Sequence, residues 1–423
     1  MEDLIQFFAI LAVMVIQWVI RQAAKKREAA ASGAPPPPIA GKPAVAPTAN
    51  AAALVGRVAE QLDSLIESGR ALRARGERLR VSIAGDGPFS ALRAATAVPT
   101  LADVDAVLDD LAELRGMLAD ASPEQALLQV QMQYDPRAAW RAWQWAELRL
   151  SVLEHAASAR RDPLRAETLA DADAVAAALL APLNAFAASE GLALPAQRPI
   201  CVPTGNGGEA VLQGLLPNTP VVFVPHGFGD DLLRWPAVAH EISHVIWRNL
   251  PGFAEDVVAL TPTDKPPLLP RPMGRRMQFD VTAMWRGWIE ELTADAFAAL
   301  TLGPAALRGL MHIFARPDDA EAVTRAAAVD QERLAEHPPA HLRVHLVGRL
   351  LARQGFTADV HRLLREWDDA HDRPDALLLP LAFGGTVRMP AEATLDAGFA
   401  LIERLLTEPM PSLGGLTLLD VPG

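Results

Sequence analysis

The sequence predicts an α+β protein that is mostly helical: an N-terminal transmembrane helix, a helical bundle, then a domain with a small sheet and two facing helices. Three observations carry that prediction. An uncharged apolar run opens the chain, apolar residues recur at helical spacing between residues 51 and 195, and short strand-like runs begin near Leu194. The segments are an anchor at 1–20, a basic and Pro/Ala-rich linker at 21–50, a helical domain at 51–195, a second domain at 196–350 and a C-terminal helical extension at 351–423. A chain of 423 residues, half of them apolar, is long enough to build two or three cores.

The anchor comes first. Leu4 to Ile20 holds no charge and is interrupted only by Gln6 and Gln17, a length at the short end of what spans a bilayer. Glu2 and Asp3 precede it, while Arg21, Lys25, Lys26 and Arg27 follow. That order is the reverse of a cleaved signal peptide. By the positive-inside rule it places the body on the cytoplasmic side of the cell membrane, as a single-pass protein. Residues 28–50 carry six prolines among Ala, Gly and Ser, which makes an extended spacer rather than a core.

The helical domain shows its period in Leu54, Val58, Leu62 and Leu65, and again in Val104, Val107, Leu108 and Leu111. Pro99 and Ser122-Pro123-Glu124 mark helix starts, and long helices follow over 138–158 and from about Glu167 to Ser189. The spacing gives four or five helices. Trp140, Trp143 and Trp145 read as packing along a helix seam rather than as a ligand platform.

Past Leu194, strands are expected at Pro199–Pro203, Ala210–Leu216 and Val221–Val224. The Gly-rich segment Thr204–Gly208 lacks the Gly-Lys-Ser/Thr ending of a phosphate loop and reads as a hairpin tip. A helix over Asp230–Asn249 follows, then a proline-rich loop at 251–276, a helix from Phe279 to Leu302, and a mainly helical remainder to about Leu406.

Composition narrows the chemistry. A formal charge of −12, with no large basic run beyond the N-terminus, excludes nucleic acid as a partner. Cys201 is the only cysteine, so neither an intrachain disulfide nor a Cys-rich zinc site is possible. Any metal must be held by histidines and carboxylates.

Such a set is present. His240-Glu-Ile-Ser-His244 places two imidazoles four residues apart, on one face of a helix, where both can bind one ion. Glu241, about 100° round the helix, can reach a metal-bound water and take its proton. By chance the pattern arises about once in a hundred such sequences, so a third ligand is the deciding feature. Trp288-Ile-Glu-Glu-Leu-Thr-Ala-Asp295 offers one. Glu291 and Asp295 share a helical face, so Glu291 completes a His₂Glu set while Asp295 accepts the outer N–H of a ligand imidazole. Glu290, off that face, is the rival ligand.

HEISH followed by ELTAD resembles the gluzincin pattern HExxH…ExxAD, shared by thermolysin-like peptidases and by the CAAX prenyl protease/HtpX group. His337-Pro-Pro-Ala-His-Leu-Arg343 resembles the His-Pro-Pro…Arg segment of the second group, and Trp235–Ala239 is similar in kind to its lead-in. The likeness covers roughly residues 220–350. It implies a zincin-like metallopeptidase domain holding one Zn²⁺ per chain, a protein or peptide substrate, and an edge strand lining the cleft, for which Val221–Val224 is the candidate. It also implies that His337 or Arg343 serves the catalytic site, either stabilising the oxyanion or holding the active-site helix. Tyr134, the sole tyrosine, lies in the helical domain and is not available for that task. His226 is expected near the cleft, His341 and His345 at the surface, and Cys201 as an inert strand residue. The competing reading is a membrane-anchored adaptor whose zincin domain is inactive.

Overall fold

The computed structural model describes residues 51–84, 89, 92, 99–122, 125–126, 136–192, 198–204, 210–216, 219–225, 228–261, 268–270, 276–278, 281–315, 322–326, 337–380 and 386–420. The expected anchor, the linker, Tyr134 and His226 lie outside the described residues. The chain divides into two compact units, one of residues 1–79 and 98–152 and one of 80–97 and 153–423.

The first unit contains most of α1 (Ala51–Ser82), α2 (Pro99–Asp120) and the first part of α3 (Pro136–Arg161). Its apolar face runs through Val58, Leu62, Ile66, Val104 and Leu111, while Leu54 is exposed. Trp143 is buried against α1: a Cβ on Gly69 would lie 2.6 Å from the indole Cζ2, so only glycine admits the ring. Trp140 is 56% exposed, so the tryptophans do not form one platform. Ion pairs such as Arg115–Asp63 at 2.8 Å lie on the surface, where each adds little.

The second unit begins with the end of α3 and α4 (Pro163–Ser189), whose start is capped by Asp162 accepting the Leu164 N–H. Among the described residues α4 is the one helix long and apolar enough to cross a membrane. It packs one side against β1 and α5, burying Leu169, Ala172, Ala176, Leu180 and Phe186. Asp173 in its middle receives Arg160 Nη2 at 2.6 Å and the Cys201 backbone N–H at 2.5 Å. Arg160 also donates to the Cys201 carbonyl, so one buried pair ties α3 and α4 to the first strand. Cys201 is fully buried there.

The sheet has the order β1 (Ile200–Thr204), β3 (Thr219–Pro225), β2 (Ala210–Leu216). β1 runs parallel to β3, with Ile200 opposite Val221, and β2 runs antiparallel to it. Two expectations are corrected here. Val221–Val224 is the central strand, not the edge; its unbroken apolar run is the pattern of a strand buried on both faces. The second concerns β1 and β2, which are not neighbours and so do not form the expected hairpin; the segment expected at its tip lies, past Thr204, outside the described residues.

Past the sheet, 3-10 turns at Phe228–Asp230 and Leu232–Arg234 replace the expected helix start at Asp230. Asp231 caps the second turn by accepting the Leu233 N–H at 3.2 Å, and α5 (Pro236–Asn249) begins where proline fixes its first turn. The segment after it is not one loop: α6 (Phe253–Ala259) is followed by a hairpin of β4 (Leu268–Pro270) and β5 (Arg276–Gln278). Then come α7 (Val281–Leu302), α8 (Pro304–Phe314), α9 (Ala340–Arg353), α10 (Thr357–His371), the hairpin β6 (Ala376–Pro380) and β7 (Thr386–Pro390), and α11 (Ala391–Thr407). α5 lies directly against α7, and α9 packs on α7, α8, α10 and α11. Gly309 of α8 permits close approach to the start of α5, since a Cβ there would meet the Leu233 carbonyl oxygen at 2.8 Å.

The Arg160–Asp173 pair gives a direct test. Asp173→Ala leaves a buried guanidinium uncompensated and is expected to cost about 3–5 kcal/mol in urea unfolding. A cost below about 1 kcal/mol would show that the pair does not hold α4 in place.

Candidate metal centre

The i,i+4 spacing on α5 brings His240 and His244 to the α7 side, with their Nε2 atoms 3.3 Å apart. Glu291 of α7 meets both: its Oε2 lies 3.4 Å from His240 Nε2 and its Oε1 3.5 Å from His244 Nε2. A tetrahedral zinc with ligand bonds of about 2.0–2.1 Å requires donor atoms about 3.3 Å apart. The two imidazole nitrogens stand at that spacing, the Glu291 carboxylate meets each through a different oxygen, and the three residues together could hold one metal ion.

Two carboxylates fix the imidazoles from behind. Asp295 Oδ1 lies 3.0 Å from His240 Nδ1, and Glu290 Oε1 lies 2.9 Å from His244 Nδ1. Each Nδ1–H donates outward, which turns each Nε2 lone pair toward Glu291. The sequence offered Glu290 only as a rival ligand. Its place one residue before Glu291, turned toward the next α5 histidine, is the signal that was missed.

Arg343 of α9 closes the back of the site. Its Nε and Nη2 donate to Asp295 at 2.7 and 2.8 Å, its Nη1 lies 3.2 Å from Glu291 Oε2, and its guanidinium stacks over Phe314 at 4.8 Å. Residues before prolines are driven to extended backbone, so His337-Pro338-Pro339 is a stiff entry into α9. It sets the His337 Nδ1 3.2 Å from Glu291 Oε2 while leaving the ring half-exposed. His341 and His345 differ from expectation: both are buried, against α10, because α9 is covered on that side as well.

The electrostatics follow from burial and pairing. Burial pulls His240 down, but its bonds to Asp295 and Glu291 outweigh that and carry it from 6.5 up to about 10. Burial pushes Glu291 and Asp295 up, and the Arg343 charge with the His240 bonds overcomes it, leaving both below the usual range. Glu241 goes the other way: burial raises it more than His240 and His244 lower it. A raised carboxylate beside two imidazoles is suited to accept a proton near neutral pH.

No protein-family model, curated protein or solved structure matches the chain.

Without metal, the raised His240 value stabilises the fold fully below about 6.5, and that contribution is lost as pH rises through about 10. A cation must displace the His240 proton. Zinc binding near pH 8 is therefore expected to release at least one proton per ion, read from binding enthalpies in buffers of different ionisation enthalpy. A slope of zero would contradict the protonated imidazole.

Proposed function

We propose that the chain is a membrane-tethered zinc metalloendopeptidase of the gluzincin type. The observation that carries the reading is the triangle of His240 Nε2, His244 Nε2 and the Glu291 carboxylate, with edges of 3.3–3.5 Å. Glu241, buried on the same helix, feels the charges of His240, His244, Glu291 and Arg343. The intact ligand set and its two supporting carboxylates favour an active site over an adaptor with a degraded one.

Zinc, held by His240, His244 and Glu291, supplies the Lewis acidity that makes water acidic near neutral pH and polarises a peptide carbonyl. Glu241 accepts the proton of the attacking water and passes it to the departing amine. His337, half-exposed at the rim, donates to the oxygen on which negative charge develops. Arg343, buried and committed to Asp295 and Glu291, holds the ligands rather than meeting substrate. An extended substrate pairs along β2, the edge strand that packs by α5.

Glu241→Gln is expected to retain zinc and to lower peptide cleavage at least about 10²-fold. Undiminished cleavage by a zinc-loaded variant would refute the mechanism.

The flanking charges of the run at residues 4–20 orient the anchor, with the body in the cytoplasm. Protease added to inside-out vesicles is then expected to digest the body, and a body reached only from the opposite face would reverse the topology.

A further inference from the structure

α9 carries a second pair of histidines on the side away from Arg343. His341 and His345 stand four residues apart, are 1% and 5% exposed, and hold their rings 4.3 Å apart. Asp368 of α10 places Oδ1 2.9 Å from His345 Nε2. Donor atoms of His341, His345 and Asp368 all lie within 4.8 Å of one another. The carboxylate comes from the neighbouring helix, where the spacing along α9 cannot reveal it.

A separate observation points to a ligand. His341 Nε2 is buried with no hydrogen-bond partner, although its Nδ1 accepts the Trp367 indole N–H at 3.3 Å. Buried polar atoms are seldom left so, and moving the ring proton from Nε2 to Nδ1 turns this nitrogen into a free lone pair beside His345 and Asp368. Burial, with His345, Arg373 and His371 nearby, brings His341 down to about 3, and burial lowers His345 too, so both rings are neutral at physiological pH. Neutral imidazole is the ligating form.

We propose that His341, His345 and Asp368 bind a second divalent cation that joins α9 to α10. Two imidazoles and one carboxylate favour a transition-series ion such as zinc over magnesium or calcium, and Zn²⁺ is the probe used below. The site stands apart from the peptidase reading, since it shares no ligand with His240, His244 and Glu291. On binding, the His341 ring proton moves from Nε2 to Nδ1, the Nε2 lone pair goes to the ion, and the Trp367 N–H loses its acceptor. His345 likewise turns its Nε2 lone pair to the ion, its proton moving to Nδ1. Trp367, stacked on His371 with centroids 4.0 Å apart, thereby reports occupancy.

The test uses the full chain and Zn²⁺. Wild type equilibrated with zinc is expected to hold two ions, and His240→Ala, which removes the α5 site, to hold one. Adding Asp368→Asn, a near-isosteric change at a partly exposed position, is expected to weaken that remaining ion at least about tenfold and to abolish its tryptophan fluorescence change. A folded His240→Ala protein without zinc, or binding unaltered by Asp368→Asn, overturns the proposal. A single wild-type ion that His240→Ala retains sinks the α5 site and keeps this one; a single ion that His240→Ala loses does the reverse. The wild-type count needs no variant to fold.

Discussion

Burial of Arg343 between Asp295 and Glu291 is the constraint on which the candidate metal site depends. Three carboxylates from two helices, Glu241, Glu291 and Asp295, are taken out of water together. Any one of them unpaired would cost several kcal/mol. Arg343 is the only group among them with a permanent positive charge, and its fork onto Asp295 also pins α9 to α7. A divalent ion added to Arg343 gives three positive charges against three negative ones. Without the ion, the proton held by His240 offsets part of the negative charge, and burial raises the affinity of Glu241 for a proton.

Local geometry explains how much of this was legible. The spacing of His240 and His244, and of Glu291 and Asp295, fixes which side chains share a face, so the grouping of His240, His244 and Glu291 and the carboxylate behind His240 were legible in the sequence. Glu290 was harder, because its job depends on how far α7 is rotated against α5, and rotation is a tertiary property. The helices of the first unit were legible for the same reason, while the exposure of Leu54 and Trp140 was not, since an apolar period says nothing about where a helix outruns its neighbours. The sheet shows the opposite failure. The run Thr219–Pro225 signalled a strand buried on both sides, yet its expected role in the cleft assigned it to the edge. The hairpins β4–β5 and β6–β7 are built of short strands, three of which end in proline, and their pairing is decided by the partner rather than by either segment.

α9 links the two clusters through its two faces. Residues 341 and 345 lie on one side and residue 343 about 200° round from 341, so a single helix presents histidines to α10 and a guanidinium to α7. Each cluster takes two histidines one turn apart from one helix and a carboxylate from the next, which is the least machinery that can fix three donors without loops. Because α9 is buried on both sides, His341 and His345 were misread as surface residues. Nothing in their own turn of helix reveals that α10 covers them.

Charge separates the two clusters in strength. Around His240 and His244 the buried group holds three carboxylates and one guanidinium, enough to neutralise the two charges of a bound ion. Around His341 and His345 it meets Asp368 alone, with Arg373 close enough to add a further positive charge. One carboxylate against a divalent ion leaves net positive charge that solvent must compensate, and the partly exposed Asp368 is where solvent reaches the group. An ion bound by the α9–α10 cluster would therefore be less fully neutralised, and held less tightly, than one bound between α5 and α7.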